Sequence, residues 1–308
     1  MTQSKIKNIP ASVRQRLLNI AKARGEDFQY VLTRYALERF LYRIGISNYW
    51  KRFVLKGAML FQVWSPEVHR MTRDMDLLDS NNHEAKKVVQ AIREILREKA
   101  PDDGLVFDGQ SLRWSPIREG QAYQGVRLRF IAKLEKAVIP IQVDVGFGDL
   151  VIPKPARTKY PALLEFPAPK VLAYAKDLVI AEKLHAMVVH GMDNSRMKDY
   201  YDIWFLSQHF DFSNRRLSKA IRTTFTRRKT TLPSDWPVGL TDEFFMDPRV
   251  VTQWNAFWNK SSLPVKVVGL KSIGKNLRGF LKPFLQITPK EKGTAKITWK
   301  TGGPWRPV

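Results

Sequence analysis

Asp74 and Asp76 stand two residues apart in the segment RMTRDMDLLDS, with Thr72 two residues before them. Thr72, Asp74 and Asp76 alternate with Arg73, Met75 and Leu77. That period predicts a strand from which all three polar side chains leave one face. Two carboxylates held about 4 Å apart repel by roughly 4 kcal/mol at an effective dielectric of 20. A bound cation or a raised pKa must relieve such a pair. The chain has no Cys and no suitably spaced His. Oxygen ligands alone suit Mg2+ or Mn2+, whose shells are completed by water and substrate phosphates. Asp144 is a third acid, in a stretch where Ile139, Ile141 and Val143 alternate with Pro140, Gln142 and Asp144. If that strand lies beside Thr72–Asp76, three carboxylates converge and fit metal-assisted phosphoryl or nucleotidyl transfer. The plainer alternative is a solvated strand end. Asp79 reads as a turn residue.

Cationic and glycine positions supply the phosphate side of such chemistry. Lys56-Gly57-Ala58 precedes a short helix. Gly lets backbone approach a ligand closely, and Lys56 adds a point charge. The alternative is an ordinary helix start. The run from Gly269 to Asn276 nearly matches a Walker loop, but Asn276 stands where a hydroxyl should hold the metal, and no βαβ context surrounds it. Farther along, Val179, Glu182, Ala186 and Val189 form a helical stripe flanked by Lys183. Arg196, Asp199 and Asp202 follow at intervals of three on one helix face. These residues read either as a structural salt-bridge lattice or as a cationic clamp with a positioned carboxylate for a triphosphate. The second reading is taken for Lys183 and Asp199. His185 and His190 are five apart and cannot share a metal from one helix face.

The elements that must position these residues fall into two halves. Helices are expected over 11–41 and 84–99, and strands over 72–76, 105–114, 123–134 and around 139–143. Prolines at 153, 155, 161, 167 and 169 suggest a domain boundary. Beyond it the pattern is helical over 170–190, 197–208, 214–225, 248–258 and 265–284. The expected class is therefore α+β: residues 1–155 as a core with N-terminal helices, 156–286 as a helical domain, and 287–308 as a loose basic tail.

Composition restricts the partners. The 308 residues are 44% hydrophobic and 26% charged, yet carry 52 Lys+Arg against 29 Asp+Glu, a formal charge of +23. The chain is too apolar for a disordered polycation. It has neither an apolar run of membrane-spanning length nor the apolar core of a secretion signal near its start. A cytoplasmic protein without disulfides is expected. Arg215, Arg216, Lys219, Arg222, Arg227, Arg228 and Lys229 cluster without an acid among them. A nucleic acid bound through its phosphates, or an acidic protein, would answer that charge.

Taken together, the motifs resemble the AbiEii/AbiGii toxin family of DNA-polymerase-β-like nucleotidyltransferases. The family's Gly-Ser followed by Asp-x-Asp reads here as Lys56-Gly57-Ala58 and Thr72-Arg73-Asp74-Met75-Asp76. Its Glu-Lys-Leu run and later Lys-Asp-x-Tyr-Asp read as Glu182-Lys183-Leu184 and Lys198-Asp199-Tyr200-Tyr201-Asp202, preceded by Arg196. Ala58 replaces the frequent Ser, so Lys56 or Thr72 would supply the missing phosphate contact, and the Gly-to-Asp spacing is long. The resemblance implies a polymerase-β-like core, an NTP used with Mg2+ or Mn2+, RNA (most often the tRNA 3′ end) as acceptor, and an antitoxin encoded nearby. It also implies a role in phage defence or a toxin–antitoxin pair. On that reading Asp74, Asp76 and Asp144 bind metal, Lys56, Gly57, Ala58 and Thr72 face the nucleotide, and Lys183, Asp199, Arg196 and Asp202 support it. Phosphorylation or nucleotidylation of a protein on the same scaffold, or a non-catalytic basic RNA-binding module, are the rival expectations.

Overall fold

In the computed structural model, residues 8–65, 69–80, 84–119, 122–148, 152–261, 263, 267–285 and 296–308 are described. Two compact units emerge: Met1–Leu150 with Pro155–Tyr174, and Val151–Lys154 with Ala175–Val308. The expected α+β class is what the structure has. Among the described residues no helix is long and apolar enough to cross a membrane.

The first unit is a mixed sheet with helices on one face. Its strands are β1 (Phe53–Lys56), β2 (Asp74–Asp79), β3 (Leu105–Glu119), β4 (Ala122–Leu134), β5 (Ala137–Phe147), β6 (Ala156–Lys159) and β7 (Lys170–Ala173). They lie in the order β3-β4-β5-β2-β1-β7-β6. β2 runs parallel to β5 and β1 parallel to β7; the other neighbours are antiparallel. Met75, Leu77, Val143, Val145, Leu128 and Phe130 fill the buried face. They are covered by helices α1 (Ile9–Arg24), α2 (Phe28–Ile46) and α4 (Ala85–Ile95). Asn8 and Asp27 cap α1 and α2 by accepting from the amides of Ala11 and Tyr30. The intervening positions of β2, β4 and β5 carry the polar side chains, so period two in the sequence becomes two chemically distinct faces.

α2 is buried nearly all round and carries charge inside. Arg39 and Arg43 both donate to Asp103, at 2.9 and 2.8 Å. Glu38, one helical turn before Tyr42, accepts from the Leu163 amide at 2.7 Å. Burial pushes the Glu38 carboxyl up to about 7, against the pull of that amide and of Arg39. Its folded pKa thus exceeds its unfolded one, and the folded state holds the extra proton between about 4.5 and 7. Stability should fall as pH rises through that window, by an amount on the order of 1–3 kcal/mol, and Glu38→Gln should flatten the slope. Urea unfolding of both proteins at pH 5 and pH 7.5 checks this; parallel pH slopes would refute it.

Several sequence expectations differ from what is observed. The proline-rich stretch is not the division between units: β6 and β7 join the main sheet, and the units divide after Tyr174. Lys170–Ala173, expected as the start of a helix, is a strand parallel to β1. Only Val171-Leu172-Ala173 follow Lys170 in this strand, a run too short to separate a strand from the start of a helix by its period. Asp79 is no turn residue. It ends β2 fully buried and takes a two-pronged ion pair from Arg52 at 3.0 and 2.9 Å.

The second unit is mainly helical: α5 (Lys176–His190), α6 (Met197–His209), α7 (Asn214–Arg227), α8 (Asp242–Met246), α9 (Pro248–Lys260) and α10 (Leu270–Leu285). Of the helical stripe on α5, Val179 is buried and Val189 is 55% exposed; Leu178, Ala181, Leu184 and Met187 are buried as well. The Walker-like run lies largely in α10, where Asn276 accepts a hydrogen bond from Ser207 at 2.9 Å. Residues 296–308 are not loose. β9 (Ile297–Trp299) pairs with β10 (Trp305–Pro307) and with β8 (Phe212–Ser213). The indoles of Trp299 and Trp305 donate to the carbonyls of Ser207 and Phe280 and pack on the Phe280 ring. Residues 286–295 of the expected tail lie outside the described residues.

Candidate functional site

Cross-strand register assembles one group of charged residues in the first unit. Lys56 on β1 pairs with Asp76 on β2, Asp76 with Asp144 on β5, and Asp144 with Arg127 on β4. Register partners share a sheet face, so these four side chains form a row opposite the apolar core. Asp74 belongs to the next row, beside Gln142 and Arg129. Its carboxylate accepts from the Thr72 hydroxyl at 2.6 Å, so Thr72 orients Asp74. Asp74, Asp76 and Asp144 are all half-buried.

Gly57 closes the row at one end. It has a φ of +72°, and a Cβ built there would stand 2.0 Å from the Asp76 carboxylate. Both facts demand a residue without a side chain. The chain then turns through a short 3-10 segment from Ala58 to Leu60 and into α3 (Phe61–Trp64).

At the other end stands a residue that sequence reasoning missed. The Arg127 guanidinium spans Asp144, with Nε to one oxygen at 2.9 Å and Nη2 to the other at 2.7 Å. The hydrogen bonds to Asp144 and then the charges of Asp144, Asp74 and Asp76 raise the pKa of Arg127. The field of all three carboxylates therefore reaches it. The clue was available: a tight turn at Glu135-Lys136 makes β4 and β5 a hairpin, and counting back from that turn sets Arg127 opposite Asp144.

A hard divalent cation fits part of this set. Asp74 and Asp76 offer carboxylate oxygens on one face, the ligand chemistry Mg2+ and Mn2+ take when one or two protein carboxylates suffice. Asp144 has both oxygens engaged by Arg127. Among the described residues no group of three His, Cys, Asp or Glu stands ready as a metal cage.

The second unit holds the other expected residues. Lys183 on α5 reaches Asp199 at 2.5 Å and Asp202 at 2.8 Å on α6. Arg196 immediately precedes α6 and donates to the second Asp199 oxygen at 2.7 Å. Asp199 and Asp202 are fully buried. Burial pushes the Asp199 carboxyl up, but Lys183 and Arg196 outweigh it and hold it below the usual carboxylate range. The quartet is thus formally neutral. Glu182 points elsewhere, 3.9 Å from Arg228. His185 makes a contact of 2.9 Å with the Thr230 hydroxyl, and burial beside Arg228 lowers its pKa to about 4. It is therefore a neutral packing residue near pH 7.

α7 presents a basic stripe. Arg215, Lys219, Arg222 and, past its end, Lys229 are exposed at helical spacing, while Leu217, Ala220, Ile221 and Phe225 face inward. Arg216 is exposed as well but pairs with Asp177 at 3.1 Å.

A comparison with curated proteins finds no match. Among solved structures, JHP933 from Helicobacter pylori is similar with a TM-score of 0.49 and 12% identity, over 84% of this chain and 93% of that one. An H. pylori chain provisionally named a nucleotidyltransferase gives 0.48 and 13%, over 84% of this chain and 96% of its own. A family model, Nucleotidyl transferase AbiEii toxin, Type IV TA system, matches residues 39–265. That span is most of the chain and contains the Asp74–Asp76 pair, its charged row and the Lys183 quartet, so the chain belongs to the AbiEii family of nucleotidyltransferase toxins.

Proposed function

We propose that the protein transfers nucleotides from an NTP, held with Mg2+ or Mn2+, to the 3′ end of cytoplasmic tRNA and thereby blocks translation, under the control of an antitoxin encoded nearby. The observation that carries this reading is the placement of Asp74 and Asp76 on one sheet face, with Asp76 in register with Lys56 and Asp144 and against the bare backbone of Gly57. When bound, the divalent ion would neutralise the charge that develops on the transferring phosphoryl group. Asp74 and Asp76 would hold it, with Thr72 fixing the rotamer of Asp74. Lys56 would balance polyphosphate charge, and Gly57 and Ala58 would let the chain approach the nucleotide closely. Asp144 would accept the proton of the acceptor hydroxyl. The acceptor oxygen then bonds to the α-phosphorus, and pyrophosphate leaves. Lys183, held between Asp199 and Asp202, and Arg196 would serve nucleotide binding.

The exposed stripe on α7 supports a phosphate-backbone acceptor, because clustered cations release counterions when they meet a polyanion. The test is transfer of α-labelled NTP to total tRNA by the wild type and by Asp74→Ala. Label on tRNA from the wild type alone is expected, weakening as salt is raised. Equal labelling by both proteins would discard the site. Label that survives RNase but not protease would make a protein the acceptor, and RNA binding without NTP consumption would leave a non-catalytic module.

A further inference from the structure

The row Lys56–Asp76–Asp144–Arg127 places a permanent cation where a second divalent ion would need oxygens. Asp144 has two carboxylate oxygens, and Arg127 donates to both. A planar guanidinium matches a carboxylate and a phosphate with the same pair of parallel hydrogen bonds. The Asp144 side chain is 15% exposed and that of Arg127 is 37% exposed. The acid is therefore shielded, while the base keeps a side open to an incoming anion. The guanidinium lies at the end of the row that holds Asp76 and Asp144, so it offsets part of the carboxylate charge before any metal arrives.

We propose that Arg127 is the resident counter-cation of Asp144: it limits the nucleotide-free protein to one divalent ion, at Asp74 and Asp76, and yields Asp144 only when a polyphosphate takes over its hydrogen bonds. The inference rests on the nucleotidyl-transfer reading of these residues and assigns Arg127 a positioning role within it. It makes nucleotide binding a precondition for a complete carboxylate set, so metal alone does not assemble the site. A pair that merely joined two strands would leave metal binding untouched when removed.

The test is Mn2+ titration of the full chain, followed by the paramagnetic signal of free Mn2+, first without nucleotide and then with a non-hydrolysable NTP analogue. The wild type should bind one Mn2+ per chain alone and a second with the analogue. Arg127→Gln should bind two without nucleotide, or one at least tenfold more tightly. Asp144→Asn, which leaves Asp74 and Asp76 intact, should bind one and gain none with the analogue. Equal number and affinity of Mn2+ on wild type and Arg127→Gln would overturn the proposal. So would two ions on the nucleotide-free wild type, or none on either protein. Labelled transfer to tRNA by the wild type is scored separately. A protein that labels tRNA yet shows unchanged Mn2+ binding in Arg127→Gln refutes only the role of Arg127. A protein that transfers nothing yet gains Mn2+ in Arg127→Gln refutes only the acceptor reaction.

Discussion

Asp76→Asn should lower nucleotide transfer on the order of 10³-fold, since it removes half of the carboxylate pair that would hold the divalent ion against the reacting phosphates while keeping size and shape. The fold should survive. Asp76 is half-buried on the polar face of β2, and its neighbours Met75 and Leu77 pack on the opposite side, untouched by the change. Labelled-NTP turnover reads the activity, and the melting temperature reads the fold. A variant that keeps more than a tenth of the wild-type rate would remove Asp76 from the reaction. Gly57 offers no such clean probe. Any side chain there both meets the Asp76 carboxylate and must adopt a left-handed backbone, so a loss of activity would not separate fold from chemistry.

Lys183→Met should destabilise the protein by about 3–5 kcal/mol, because it leaves buried carboxylates without their cation. Asp199 keeps Arg196, but the contact from Lys183 to Asp202 is lost. The sign of the pH effect follows from the lowered pKa of Asp199. Its ion pairs stabilise the wild type above the ordinary carboxylate range, and that advantage disappears as pH falls through the lowered folded pKa. The gap between wild type and variant should therefore narrow on acidification, as read by urea unfolding at neutral and acid pH. The double variant Lys183→Met/Asp202→Asn separates two roles. Recovery of stability without recovery of transfer makes Lys183 a nucleotide-binding residue. Recovery of both makes it a support for α5 and α6 alone.

What the sequence makes legible here is what has a local period. Alternation in Ile139–Val145 marks β5 and sets Asp144 on its polar face, and the three-residue spacing of Arg196, Asp199 and Asp202 marks one side of α6. The partners of those residues come from other elements. Lys183 reaches Asp199 from across a turn, which the shared motif suggests but spacing cannot. Arg127 meets Asp144 only through hairpin register, a property of two strands and the turn between them. β7 hides because its short run is too brief to show a period of two, and a helix begins soon after it. The strands near the C-terminus hide for a different reason. Their lysines, glycines and prolines describe a solvated segment, and the ordering comes from Trp299 and Trp305, whose ring packing and indole hydrogen bonds no composition average records.

The charged row has one more physical property. Its four members run positive, negative, negative, positive. Such a symmetric set sums to zero and largely cancels its dipole, so its potential falls off with distance faster than that of a net charge. It acts mainly on groups close to it. The uncompensated cations of α7 behave as a monopole felt across a Debye length of about 8 Å at physiological ionic strength. Capture of a polyanion and the events after docking should therefore respond to electrolyte on two different scales: encounter rates steeply, and the committed complex hardly at all.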